Sequence, residues 1–220
     1  MITYDFVEIG TAIFGTLIEN ASDSDVGISV EPIKEYLEQI PSKKKVTKVH
    51  AAITNKKEAE TIKLYYIPLQ TLSEHKIAGW MAGCNSVNKP HDFHLAYPFD
   101  HEPGYWLDHP QLPIQGRNLV AEGLVKCIDA PLMTFVELGQ KYDIGHVGFL
   151  KIDTEGHDPY ILMSVIEYYQ QIGNQYLPKK IQFEKNRHSD KELAKFITEE
   201  LQKLGYQTSD SHNDCRAVKA

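Results

Sequence analysis

The stretch F-L-K-I-D-T-E-G-H-D-P-Y-I-L, Phe149–Leu162, changes character twice within its length. An apolar run that begins at Val147 is interrupted by Lys151, Asp153 and Glu155. A glycine, a histidine and a third acid follow, and the chain then turns apolar again at Tyr160. A short apolar run bounded by turn residues reads as a buried strand, Val147 to Ile152. In a strand, residues 151, 153 and 155 point to one side, so Lys151, Asp153 and Glu155 line one wall of whatever lies at the strand end. Asp158-Pro159 has the form of an N-cap followed by proline at the first helical position. The helix Pro159 to Gln171 would then bury Ile161, Leu162, Val165, Ile166 and Tyr169.

The same alternation runs outward in both directions. Phe6 to Ile9 is a short apolar run ending at Gly10, and Thr11 to Glu19 reads as a helix. Val26 to Val30 is strand-like and ends at Glu31-Pro32. Ile33, Tyr36, Leu37 and Ile40 form the apolar face of the next helix. Val46 to Ile53 and Ile62 to Ile67 read as two further strands. Downstream, Lys180 to Phe183 is a strand and Ser189-Asp190-Lys191-Glu192 resembles a capping box. The helix after it would bury Leu193, Phe196, Ile197, Leu201 and Leu204 and stop at Gly205. A last strand falls within Arg216 to Lys219. Strand and helix at this spacing predict an α/β fold, a doubly wound and mostly parallel sheet with helices on both faces. The whole chain, residues 1–220, reads as one domain.

Composition narrows the function. The 220 residues carry 23 Lys and Arg against 30 Asp and Glu, a net charge of -7. That balance excludes a general nucleic-acid surface, which would be basic. The dense basic run Lys43-Lys44-Lys45 has acids on either side and reads as a solvated loop. Cys84, Cys127 and Cys215 form no C-x-x-C pair and read as free thiols of a reducing compartment. No apolar run approaches the length of a membrane span, and the first ten residues lack a basic and then apolar leader pattern. A cytoplasmic protein with no membrane partner is the expectation; oligomeric state is left open.

In doubly wound sheets ligands bind at the carboxyl ends of the strands, where the strand order reverses. Three strand ends here carry suitable residues. In E-I-G-T-A-I-F-G, Glu8–Gly15, Gly10 follows a strand directly and permits a tight turn. Ala12 occupies the place of the middle glycine in G-x-G-x-x-G, and Glu8 would repel a pyrophosphate, so a dinucleotide is disfavoured. Glu31 lies about twenty residues beyond Gly10, where an acid can bind both ribose hydroxyls. It can equally be a strand-end acid that caps the next helix. His157, in the turn after the third strand end, is either a general base or a solvated turn residue.

F-L-K-I-D-T-E-G-H-D-P-Y-I-L closely resembles the K-I-D-x-E-G segment of the FkbM-type methyltransferases. V-E-I-G-T resembles their first glycine motif, and S-V-E-P their second-strand motif. K-V-H-A-A-I-T-N resembles their third strand, and Q-F-E-K-N the strand after the K-I-D-x-E-G helix. The blocks keep the family's order over most of the chain. The family's usual D-V-G-A-N-x-G is here E-I-G-T-A-I-F-G, without the Asn and with the last Gly displaced by one. The resemblance implies a class I, Rossmann-like methyltransferase that uses S-adenosylmethionine. It carries cofactor binding onto Glu8, Gly10, Thr11, Glu31, Pro32, Ala52 and Asp153. It places Asp153 and Glu155 beside the sulfonium and the acceptor; for methyl transfer to a hydroxyl of a small molecule or glycan, Asp153 and His157 rank ahead of Glu184 as the group that takes the proton. Glu184 stands beside them as a substrate-side acid. The alternatives are a nucleotide-dependent oxidoreductase and a non-catalytic binding module with the same fold.

From about Ser73 to Asn118 the periodicity fails, and prolines, histidines and aromatics dominate. A segment of this length inside a compact domain reads as a substrate-side lid. Trp80, Tyr97, Trp106 and Arg117 are its candidate acceptor contacts, since aromatic rings stack on the apolar faces of sugars or bases. His91, His94, His101 and His109 invite a metal reading, with His91-x-x-His94 the tightest pair. Their spacing is less convergent than in metal sites and no Cys lies close by, so no metal is assigned.

Overall fold

A computed structural model describes residues 1–98, 116–186, 188–211 and 213–219. The chain divides into two compact units, Met1–Thr61 with Ala130–Ala220, and Ile62–Asp129.

The first unit is built on β1 (Ile2–Ile9). From Phe6 onward its odd and even positions serve opposite faces of the sheet, after a register shift between Ile2 and Tyr4. Val7 and Ile9 enter the larger core cluster, and Phe6 enters a smaller one. A tight turn leads to α1 (Leu17–Asn20), then β2 (Gly27–Val30), α2 (Lys34–Gln39), β3 (Val46–Val49) and β4 (Ala52–Thr54). The chain returns from the second unit within β5 (Lys126–Thr134), and α3 (Phe135–Lys141), β6 (Ile144–Ile152) and α4 (Asp158–Ile172) follow. β7 (Lys180–Glu184), α5 (Lys191–Lys203), β8 (Tyr206–Ser211) and β9 (Asp214–Lys219) complete the unit.

Seven of these strands form one sheet in the order β8-β9-β7-β6-β1-β2-β3. The pairs β1–β6, β1–β2, β2–β3 and β6–β7 are parallel; β9 runs antiparallel to β7 and to β8. The chain leaves β1 toward β2 and β3, then returns to lay β6 on the other side of β1. The order therefore reverses between β1 and β6, which is where such sheets open a crevice at their carboxyl ends. Residues of α3, α4 and α5 fill the larger cluster on one face, with Phe135, Leu138, Leu162, Val165, Ile197 and Leu201 all buried. Ile18, Leu37 and Ile40 pack with Phe6 and Phe149 on the other. The doubly wound α/β architecture with helices on both faces is thus present.

Several local expectations are corrected. The helix expected over Thr11 to Glu19 shrinks to α1, because Ala12 (φ 46°) and Gly15 (φ 65°) sit in the left-handed region, which a right-handed helix does not admit. The single strand expected over Val46 to Ile53 is two. β3 pairs with β2, whereas β4 pairs in parallel with β5. Phe196, expected in the core, is 49% exposed. The N-cap of α5 is Asp190, whose side chain accepts the Leu193 N–H, rather than the box expected from Ser189.

The second unit contains the helix Leu69–Glu74, a 3-10 turn Gly79–Gly83 and the short helix Asp92–Leu95. Leu64, Ile67, Leu72, Ile77, Met81 and Leu119 are buried there. Tyr97–Pro98 pairs antiparallel with Gly116–Arg117. The segment expected as an insert, 73–118, lies within this unit; Trp106, His101 and His109 fall outside the described residues.

Candidate active site

Three strand ends converge at Gly10. Its N–H donates to Val30 O at 3.0 Å, and the Asp153 N–H donates to Ile9 O at 2.9 Å, so β1, β2 and β6 are tied at their carboxyl ends. Gly10 has φ +81°, and a Cβ placed on it would lie 2.0 Å from Asp153 O. Only glycine fits a backbone crossing this close. Ala12 also sits in the left-handed region, at φ 46°.

Glu31, at the end of β2, is 2% exposed. Its Oε2 accepts from the N–H groups of Thr11 (3.1 Å) and Ala12 (2.9 Å) and from the Thr11 hydroxyl (3.3 Å). Its Oε1 accepts from Ile33 N–H at 2.9 Å. Burial pushes its carboxyl up to about 7, against the pull of those donors. One oxygen reaches the start of the next helix, as the capping reading expects, and the other secures the glycine turn. Pro32 is half-buried, and its carbonyl lies 2.9 Å from His50 Nε2. Ala52, on β4, is buried opposite Leu132.

Glu8 and Lys151 are register neighbours on β1 and β6. The Glu8 side chain is wholly buried, with Oε2 accepting the Leu17 N–H at 2.9 Å and Oε1 3.1 Å from Lys151 Nζ. Burial raises the Glu8 carboxyl, and the Lys151 charge opposes that rise. Lys151 Nζ also lies 3.4 Å from Asp153 Oδ2, whose side chain is 43% exposed. Asp153 is therefore the open end of a chain of charges that starts inside the sheet. Glu8, with no exposed surface, braces Lys151 and the turn that leads to α1.

Beyond Asp153 the backbone reverses through Glu155 (φ 53°) and Gly156 (φ 99°), and a Cβ on Gly156 would meet the His188 backbone at 2.7 Å. Asp158 is the first residue of α4 and not its N-cap, a place held by His157. Its carboxylate turns back to accept from Thr154 N–H (2.9 Å), the Thr154 hydroxyl and Glu184 N–H (2.7 Å). It thereby ties the end of β6 to the end of β7, and burial raises its carboxyl to about 7. Asn186 donates to Glu184 Oε2 (2.8 Å) and Glu155 Oε2 (3.4 Å). Burial, then the charges of Glu155, Asp153 and Asp158, hold the Glu184 carboxyl far above the usual carboxylate range. His157 Nε2 lies 3.2 Å from the Thr54 hydroxyl, its ring stacks on Tyr160, and burial lowers it to about 4.

The first unit thus brings together Glu8, Gly10, Thr11, Glu31 and Asp153 at the switch point, with Glu155, His157 and Glu184 around the turn after β6. In the second unit, Trp80 is half-buried with its ring edge-on to Phe93 at 5.3 Å. The Arg117 guanidinium is held by Glu122. The Tyr97 side chain and all of Trp106 fall outside the described residues. His91 Nδ1 accepts from Phe93 N–H and His94 Nδ1 from His91 N–H, so this pair caps its own short helix. Sequence reasoning missed the bracing by Asp158 and the bridge made by Asn186. Asn186 stands in the Q-F-E-K-N block, but its two partners are set by tertiary structure.

Perturbed carboxyls at the carboxyl ends of the strands, around the point where strand order reverses, make this a candidate functional site. The acid-rich rim suits a cationic or amine-bearing ligand. The family model described as the methyltransferase FkbM domain matches residues 8–208. No curated protein and no solved structure matches the chain. The match spans every strand end that builds the site, and the chain belongs to the FkbM methyltransferase domain family.

Proposed function

We propose that the chain transfers the methyl group of S-adenosylmethionine to a hydroxyl of a small molecule or glycan. The observation that carries this reading is the exposed Asp153 carboxylate beside the Gly10 crossing, at the switch point of the sheet. The residues present fit such a donor. The missing Cβ of Gly10 lets the end of β6 close on the turn after β1 and sets Asp153 at the switch point, and an acid attracts a cation electrostatically. Gly10, Thr11, Glu31, Pro32, Ala52 and Asp153 would hold the donor, with Glu8 acting through Lys151. When bound, the donor supplies an electrophilic methyl on a cationic sulfur.

What the chain itself contributes is position and a proton acceptor. In-line displacement depends mainly on holding the reacting groups in register. A hydroxyl acceptor gives up its proton as the new bond forms. His157 at about 4 is a weak acceptor. Glu184, raised by burial and its acidic neighbours, holds a proton of its own at neutral pH. Glu155 is engaged by Asn186. Asp153 is the exposed carboxylate of the group, and we assign the proton to it.

Asp153→Asn removes the acceptor while keeping the shape. With methyl-labelled donor and a panel of polyols and glycans, kcat should fall about 100-fold or more. An Asp153→Asn chain that turns over at the wild-type rate contradicts the assignment.

A further inference from the structure

Lys151 interrupts the apolar β6 one residue before the strand ends. Its ammonium meets three groups from three parts of the first unit: Glu8 Oε1 of β1 at 3.1 Å, Asp153 Oδ2 at 3.4 Å and Gly15 O of the turn at 3.5 Å. Glu8 extends the same set by accepting the Leu17 N–H at the start of α1. Exposure grades along the series: Glu8 0%, Lys151 16%, Asp153 43%. The one cation therefore sits between a sealed acid and an open one.

Burying an ion pair is costly, and an apolar pair of similar volume is often at least as stable, so stability alone does not explain this lysine. Charge alone does not explain it either. Without Lys151, burial would favour a neutral Glu8, and Asp153 would remain the open carboxylate of this trio. What the lysine uniquely supplies is geometry, because one ammonium with three donors holds the Asp153 carboxylate and the 10–17 turn in one arrangement.

We propose that Lys151 is a positioning residue for the methyl donor, fixing Asp153 and the turn after β1 together; this rests on the methyl-donor reading above. Glu8 has a second part in it. It draws the ammonium inward, so that Asp153 stays only half-compensated and keeps its preference for a cation.

Titration calorimetry on the full chain tests this with two ligands, S-adenosylmethionine and its uncharged thioether product S-adenosylhomocysteine. Lys151→Met should weaken both about tenfold, since turn and carboxylate lose their anchor together. The isosteric Glu8→Gln should leave the ammonium to Asp153 alone. It should weaken the cationic ligand about tenfold and the thioether less than threefold. Wild-type affinities in both variants, even with lowered Tm, would show a merely structural lysine and overturn the proposal. If Lys151→Met fails to fold, the selectivity change in Glu8→Gln decides alone. A wild-type chain that binds neither ligand removes the donor reading itself, and the proposal with it.

Discussion

His157 stands where sequence and structure give a residue different work. As a turn histidine after a strand end it is a natural general base, yet its ring is stacked on Tyr160 and held near 4 by burial. A folded value below the unfolded value of about 6.5 means that the unfolded chain binds more protons between the two. The stability tied to a neutral His157 is complete above about pH 6.5 and is lost as pH falls toward 4, up to about 3 kcal/mol. Urea denaturation of wild type and His157→Gln across pH 7 to 4 should therefore show a shallower acid loss in the variant. Parallel curves would contradict it. Glu8 and Glu31 teach the same lesson. Their acidic character and strand-end position are readable from the chain, but not that Glu8 faces Lys151 or that Glu31 accepts four hydrogen bonds. Such partners come from residues up to 143 positions away.

Among the elements, the strongly periodic ones were legible. β6, β7, α4 and α5 lie where apolar runs and helical spacing put them. Those with weak or misleading patterns were not. β5 contains Asp129 and Pro131, residues uncommon within strands. β8, Y-Q-T-S-D-S, is a mostly exposed edge strand with almost no apolar side to reveal it. The start of α4 is the informative case. Asp158 reads as a local cap, whereas its carboxylate joins two strand ends through Thr154 and Glu184. Asp158→Ala would leave those buried N–H groups without an acceptor, at a cost of about 3 kcal/mol. Equilibrium urea unfolding measures it. A loss below about 1 kcal/mol, the range of an ordinary cap, would return Asp158 to a local role.

At the scale of the molecule, the first unit joins a parallel sheet, a reversal between β1 and β6, and an acidic rim at that reversal. The α/β architecture followed from the alternation of patterns, and the site's location followed from the architecture. The shape of the second unit did not, because proline, histidine and aromatic residues carry no period that specifies a fold. No helix among the described residues is long and apolar enough to cross a membrane. The central claim is that the β1–β6 crevice holds a cationic methyl donor. Titration of S-adenosylmethionine into the full chain tests it most directly. The account predicts saturable binding of one donor per chain, competed by S-adenosylhomocysteine. A folded chain that shows neither heat nor a Tm shift at millimolar donor would contradict it.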